Sequence, residues 1–363
     1  MKVAILWTKP SSYLNAALRA LAAYGCEILI FNEAADGDAP FEQGELRWIS
    51  RRHEFHGAPE FRILRQTIES FLPDVILCSW HVPAYQKVCS RLRGQSVRVG
   101  CGDNQWRGTL RQQLGRIAAP FHLHRFYDVL FVPGERQSMW ARRMGFPEER
   151  IWKGLLTCDV AAFQGCRTRR SAETRTFLYA GRLSPEKGIQ TLVRAYSAYR
   201  RGCREPPWTL IVAGDGPLQD SVSHEPGVDW RGFVPPSQLP AVFARAACFV
   251  MPSARDAWCV ALHEAACAGL PLIATSACGA AVHLLQDGYN GCLVGPGQAD
   301  ALAQAMARMS DTRASERAEM GNRSSELSRQ FSPRRWAATV IKRSEGLIGI
   351  SRHATSPAVR FET

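Results

Sequence analysis

Short apolar runs alternate with helical patterns along most of the chain. Residues 3–7 read as a buried strand. Leu14, Ala17, Leu18 and Leu21 then share one face of a helix over 14–24, which Gly25 stops. Residues 27–31, 74–78, 97–101 and 129–132 read as further strands. The stretch 34–60 interrupts the pattern: it is rich in Gly, Pro and charge, holds His53 and His56, and is expected to contain a long loop at a functional edge. Periodicity fails again over 164–175, so the interdomain linker is expected there. A second series follows, with strands at 176–180, 208–213, 228–234, 248–251, 271–274 and 292–294. Its helices fall at 188–200, 237–246, 259–268, after Gly279, and at 299–309, 314–329 and 333–346. After Ser351 no period survives, and a disordered tail over 351–363 is expected. Strands alternating with helices predict parallel sheets covered on both faces. The fold class expected is α/β, with two Rossmann-like doubly wound domains, 1–165 and 166–335, facing one cleft.

The length of 363 residues fits two domains. No apolar run reaches the ~18–20 residues that span a bilayer. The first apolar stretch ends at Thr8-Lys9-Pro10, too early for a secretory core, so a cytoplasmic protein is expected. Charge narrows the partners. The net charge is +12, carried by 39 Arg and 6 Lys, and both halves are basic. Such a balance fits anionic ligands, or a peripheral position against anionic lipid at the inner membrane face. A plain solvated basic surface fits it too. No Lys/Arg-rich block and no RNP, zinc-finger or basic-zipper pattern occurs, so no nucleic-acid partner is expected. Twelve cysteines never form C-x-x-C and sit singly among apolar neighbours, as in Ile76-Leu77-Cys78. They are expected as reduced, buried small hydrophobes.

Four segments of the second half fall at strand-to-helix junctions, where doubly wound sheets bind ligands. In Gly181-Arg182-Leu183-Ser184-Pro185-Glu186-Lys187-Gly188, two cations flank a turn that opens a helix. Charge-assisted hydrogen bonds and the helix dipole would suit a diphosphate there; a capped loop with solvated cations is the plainer reading. Ala213-Gly214-Asp215-Gly216-Pro217 lets backbone amides approach a ligand, or forms a simple tight turn; Gln219 replaces the third glycine of a dinucleotide fingerprint. Trp230-Arg231-Gly232-Phe233-Val234-Pro235 offers main-chain groups to a planar base, or is an edge strand before a turn. The fourth runs from Met251 to Pro271. Asp256 lies in its loop, and Glu264 stands two turns into an Ala-rich helix, at most about 12 Å away were both helical. His263-Glu264 resembles the start of a zinc-protease motif, but Cys267 stands where its second histidine belongs.

In this order and spacing the four blocks resemble the retaining glycosyltransferases of GT-B architecture, family 4 or group 1. The resemblance is strong over about 176–310. More weakly, Lys153-Gly154-Leu155-Leu156-Thr157-Cys158-Asp159 is similar to the family's hinge segment, and Ser332-Pro333-Arg334-Arg335-Trp336 to the start of its last helix. It implies an acceptor-side domain at 1–165, a donor domain at 166–335 and a helix at 336–350 that crosses back to the first domain. It further implies a sugar carried as a UDP- or GDP-sugar and moved to a hydroxyl of a glycan, glycolipid or small molecule, as in cell-surface polysaccharide assembly. Arg182 and Lys187 would hold the diphosphate, Asp256 the donor sugar and Glu264 the ribose. Phe233 and Val234 would present backbone to the base. Gly181, Gly214, Gly216, Pro217 and the run Trp258-Cys259-Val260 would line the donor pocket. Asp256 stands where Glu is usual, and Cys259 where Gly is frequent.

The first half departs further from the family. Where a cleft histidine is common, after the strand 97–101, this chain carries Asp103 and Asn104. Asp103 is expected to serve the reacting sugar; Asn104, His81 and Lys9 are expected on the acceptor side. No Asp-x-Asp ends a strand, and Arg182 with Lys187 supplies positive charge for the leaving diphosphate, so no cofactor and no metal are expected. A catalytically silent nucleotide-sugar-binding protein, or a nonhydrolysing nucleotide-sugar epimerase, are the alternative readings.

Overall fold

The computed structural model describes residues 1–34, 46–203 and 205–354. They form two units, the first containing Met1–Leu155 together with the chain from Pro333, the second Leu156–Ser332.

In the first unit the order is β1 (Lys2–Trp7), α1 (Ser12–Ala23), β2 (Glu27–Glu33), β3 (Arg51–Phe55), α2 (Phe61–Phe71), β4 (Val75–Ser79) and α3 (Pro83–Arg91). Then come β5 (Val97–Cys101), α4 (Leu110–Phe126), β6 (Val129–Val132), α5 (Glu135–Arg143) and β7 (Ile151–Lys153). The second unit runs α6 (Val160–Gln164), β8 (Thr176–Ala180), α7 (Ile189–Gly202), β9 (Thr209–Ala213), α8 (Asp220–Ser223), β10 (Val228–Trp230) and α9 (Leu239–Phe243). It continues with β11 (Cys248–Met251), α10 (Val260–Cys267), β12 (Leu272–Thr275), α11 (Ala281–Leu284), β13 (Gly291–Val294), α12 (Ala299–Asp311) and α13 (Ala314–Ser328). The final helix, α14 (Pro333–Ala354), belongs to the first unit and packs on α1.

Both sheets are parallel and doubly wound. Their orders are β3-β2-β1-β4-β5-β6-β7 and β10-β9-β8-β11-β12-β13. Central strands such as β4 and β5 are buried along their whole length, which is why they read as unbroken apolar runs. The order in which strands are added reverses between β1 and β4 in the first sheet and between β8 and β11 in the second. Those two switch points are where such sheets open a crevice at their carboxyl ends. No helix among the described residues is long and apolar enough to cross a membrane.

Three expectations need correction. The stretch 34–60 contains β3, an edge strand in register with β2, with Leu29 opposite Arg51. Arg51-Arg52-His53-Glu54 has no apolar alternation because an edge strand buries little, and His53 instead stacks on Phe31 at 4.6 Å. The unit boundary lies at 155/156, because Cys158, Phe163 and Cys166 already pack into the second core. The last helix continues through 351–354 to Ala354; the remainder of the expected tail, 355–363, lies outside the described residues, as do 35–45.

Candidate active site

The crevice of the second sheet is bounded by the loop after β8, residues 181–188, and the loop after β11, residues 252–259. They are held together by main chain. Gly188 has φ +73°, and a Cβ there would run into the Pro252 carbonyl, so only glycine lets the two loops touch. The amides of Ala254 and Arg255 both donate to Glu186 O, at 2.9 and 3.0 Å. The loop after β9 joins them. Gly181 N donates to Ala213 O (2.9 Å), Leu183 N to Asp215 O (2.8 Å), and a side chain at Gly214 would collide with the Gly181 carbonyl. Gly216 lies against Leu183 in the same way. Gly214 N donates to Gly232 O (2.7 Å), and Trp230 Nε1 to Gly214 O (2.9 Å). All four segments singled out in the sequence therefore form one surface at one sheet edge.

Across the crevice Lys187 Nζ meets Asp256 Oδ2 at 2.5 Å, with only 8% of the Asp256 side chain exposed. Burial opposes charge on Lys187, but Asp256 outweighs it, and the ammonium is held above its ordinary pKa. Lys187 therefore keeps its positive charge beside Asp256. Arg182 sits exposed at the start of the same turn, its carbonyl accepting from the Tyr179 hydroxyl at 2.8 Å. Pro217 follows Gly216 in the loop beyond β9. Phe233 is exposed and Val234 half-buried; both line a cavity of about 260 Å³ beside β10 and α9.

On α10, Val260 opens the helix and Cys259 caps it with φ +75°, the left-handed region that glycine occupies freely. The sequence departure at that position thus falls on a backbone geometry that favours the family's usual residue. Glu264 is half-buried on the same helix. Burial pushes its carboxyl up to about 7, against an opposing pull from His263. Among the described residues no donor hydrogen-bonds this carboxylate. A withdrawn acid with no internal partner is suited to a ligand's hydroxyl groups. Trp258 requires correction as a donor contact: its side chain is 1% exposed and packs on Phe331 and His283 as core.

The first sheet's edge carries the remaining candidates. Thr8 N donates to Ser79 Oγ (3.3 Å), closing the switch point between β1 and β4. Lys9 and His81 are exposed in the loops after those strands, and Asp103 is exposed after β5. Asp103 lies near enough to Tyr13, in the first turn of α1, to help burial raise that phenol's pKa. Asn104 is committed elsewhere: its Oδ1 accepts from Trp80 Nε1 at 2.8 Å, tying β5 to β4. That makes it a brace of the edge. Sequence reading missed the roles of Trp80, a loop aromatic with no periodic signal, and of Tyr13 in the first turn of α1, and it missed the bracing role of Trp230.

Residues 174–312 match the family model described as glycosyl transferases group 1. An exopolysaccharide phosphotransferase of Streptomyces coelicolor is 28% identical over 193 residues, covering 50% of this chain and 19% of that protein. A D-inositol 3-phosphate glycosyltransferase of Corynebacterium glutamicum is 33% identical over 184 residues, covering 47% of this chain and 42% of its own. The chain thus spans less than half the length of either relative. Over nearly the whole chain, the crystal structure of Anabaena HepE in complex with UDP superposes with a TM-score of 0.72 at 19% identity, covering 96% of this chain and 100% of that one. The likeness gives the two units the GT-B fold. The match to the group 1 glycosyl transferases covers residues 174–312, where the glycines, Arg182, Lys187, Asp256 and Glu264 all lie.

Proposed function

We propose that this chain is a retaining glycosyltransferase that takes a sugar from a UDP- or GDP-sugar and attaches it to a hydroxyl of a glycan, glycolipid or small molecule, without metal. The observation that carries the reading is the Lys187–Asp256 pair spanning the switch point, with Arg182 exposed beside it. As the bond between the anomeric carbon and the phosphate oxygen breaks, negative charge grows on the departing diphosphate. Lys187 and Arg182 meet that charge as it forms, next to the amino terminus of α7. Asp256 keeps Lys187 in place and faces the donor sugar; Glu264 accepts hydrogen bonds from the ribose. The acceptor oxygen bonds to the anomeric carbon on the face the leaving group vacates, and its proton passes to a phosphate oxygen of that group. Asp103 takes the polar contact to the transferred sugar, with Lys9 and His81 toward the acceptor. Anabaena HepE crystallises with UDP and with UDP-glucose, which supports a nucleotide-sugar donor.

A lipid-borne acceptor is supported by α4. Leu110, Leu114, Ile117 and Phe121 are 83%, 68%, 71% and 85% exposed along one helix that also carries Arg111, Arg116 and Arg125 and no acidic residue. An apolar stripe rimmed by arginine suits the surface of an anionic membrane. Phe121→Asp should abolish cosedimentation with phosphatidylglycerol vesicles while leaving nucleotide binding unchanged; retained sedimentation would remove α4 from the membrane.

The test of the main reading is a thermal-shift panel of UDP, GDP, ADP and their sugar conjugates in chelator, followed by a transfer assay. A ligand at ~100 times its Kd stabilises by about 2.7 kcal/mol. One nucleotide should stand out. Binding without transfer to any acceptor would favour a silent sensor, donor conversion without acceptor an epimerase, and no stabilisation would defeat the reading.

A further inference from the structure

The zinc-like start His263-Glu264 is not explained by the donor site. His263 is core: the ring is 0% exposed, lies edge-on to Phe331, and neither ring nitrogen finds a hydrogen-bond partner. A fully buried imidazole with both nitrogens unsatisfied calls for an explanation. What faces it is a pair of thiols. Cys267 stands one turn further along α10, so that side chains four apart share a face. Cys158, contributed from 109 positions earlier in the chain, directly precedes Asp159, the N-cap of α6. The two sulfurs are 3.4 Å apart, and one ligand atom from each of Cys158, His263 and Cys267 lies within 4.8 Å of the others.

We propose that Cys158, His263 and Cys267 form a structural zinc site that staples the start of α6 to α10. Tetrahedral zinc with bonds of about 2.3 Å to sulfur and about 2.0 Å to nitrogen keeps its ligand atoms about 3.5–3.8 Å apart, so small side-chain rotations close this set around an ion. Charge selects the cation. Two thiolates, a neutral imidazole and a divalent ion sum to zero, which a solvent-free interior requires; a monovalent soft ion would leave a buried net charge. Ser328 is 2% exposed and sits against the Cys267 thiol. Its hydroxyl already donates to Ser325 O at 2.7 Å, so a lone pair is what it has left to offer the fourth position. A disulfide is the competing use of the two thiols. It would leave His263 unpartnered, whereas the ion satisfies all three groups at once. Loading exchanges two thiol protons for one Zn²⁺. The site is separate from the diphosphate chemistry and does not depend on the transferase reading.

The test uses the full chain stripped by chelator and titrated with Co²⁺, then Zn²⁺. Expected is a thiolate-to-cobalt charge-transfer band saturating at about one equivalent, bleached by zinc, with a rise in Tm and two of the twelve thiols protected from alkylation. Cys158→Ser, Cys267→Ala and His263→Leu should each reduce that band at least fivefold. No band in the folded wild-type chain would overturn the proposal, as would a band indifferent to all three substitutions. Loss of two thiols as a disulfide, without metal uptake, would overturn it equally. Should a variant fail to fold, the wild-type titration and thiol count still decide.

Discussion

At the carboxyl edge of the second sheet the loops meet backbone to backbone, through Gly188 on Pro252, Gly214 on Gly181 and Gly216 on Leu183. At the edge of the first sheet main-chain bonds such as Trp80 N to Cys101 O (3.2 Å) are joined by side-chain braces: Trp80 with Asn104, Thr8 with Ser79, and the Tyr85 hydroxyl donating to Trp7 O at 3.1 Å. The topology at the two switch points is the same. Close contacts over glycine admit no side chain, so they hold this edge rigid. Side-chain braces can be exchanged one at a time, so that edge is the more adaptable of the two. The largest effect should therefore come from removing charge at the rigid edge. Lys187→Ala and Arg182→Ala should each lower kcat by about 10²–10³, the loss expected for one charge-stabilising donor. Wild-type turnover in both would break the comparison, since the rigid edge would then not be the reacting one.

Glu264 sharpens it. Glu264→Ala should weaken nucleotide binding by ~1.5–3 kcal/mol, the range for hydrogen bonds to a charged group, with kcat at saturation changed less. Isothermal titration with the nucleotide identified by thermal shift reads this directly. An unchanged Kd would show that the raised pKa of this acid reflects burial alone.

How much of this the sequence announces differs between the same two edges. Strands 176–180 and 248–251 match β8 and β11 to the residue, because strands buried on both faces must be apolar throughout and because glycine or proline marks where each ends. The glycines that permit loop contact are themselves the visible blocks, so the rigid edge is legible. The first edge is not. Its braces are Trp80 and Asn104, 24 residues apart, and its outer strand β3 carries charge where a strand is sought. On α4 Leu110, Leu114, Ile117 and Phe121 face solvent while only Ala119 and Leu123 are buried, so this helix presents little core face to read. The Cys158–Cys267 approach joins positions 109 apart, which only folding brings together.

The side-chain edge should respond differently. Asn104→Ala removes the acceptor for Trp80 Nε1 and should cost about 1 kcal/mol of stability, the net worth of one half-buried hydrogen bond, with nucleotide affinity unchanged. Denaturant unfolding beside a nucleotide titration separates the two quantities. If transfer falls by more than the stability loss explains, Asn104 touches the acceptor after all.

Cys259 tests the claim that backbone geometry governs the rigid edge. It caps α10 with φ +75°, a conformation that costs a non-glycine residue about 1–2 kcal/mol. Its thiol is 5% exposed, so replacing it with glycine forfeits burial worth about 1 kcal/mol and adds about 0.5–1 kcal/mol of chain entropy. These contributions oppose one another. Cys259→Gly should therefore shift stability by less than about 1 kcal/mol and leave nucleotide binding intact. Cys259→Val keeps a buried side chain but places a β-branched residue in the same left-handed conformation, and should destabilise clearly more. If instead the glycine variant is the less stable of the two, packing of the sulfur holds this cap in place, and the second edge is less purely a main-chain construction than its glycines imply.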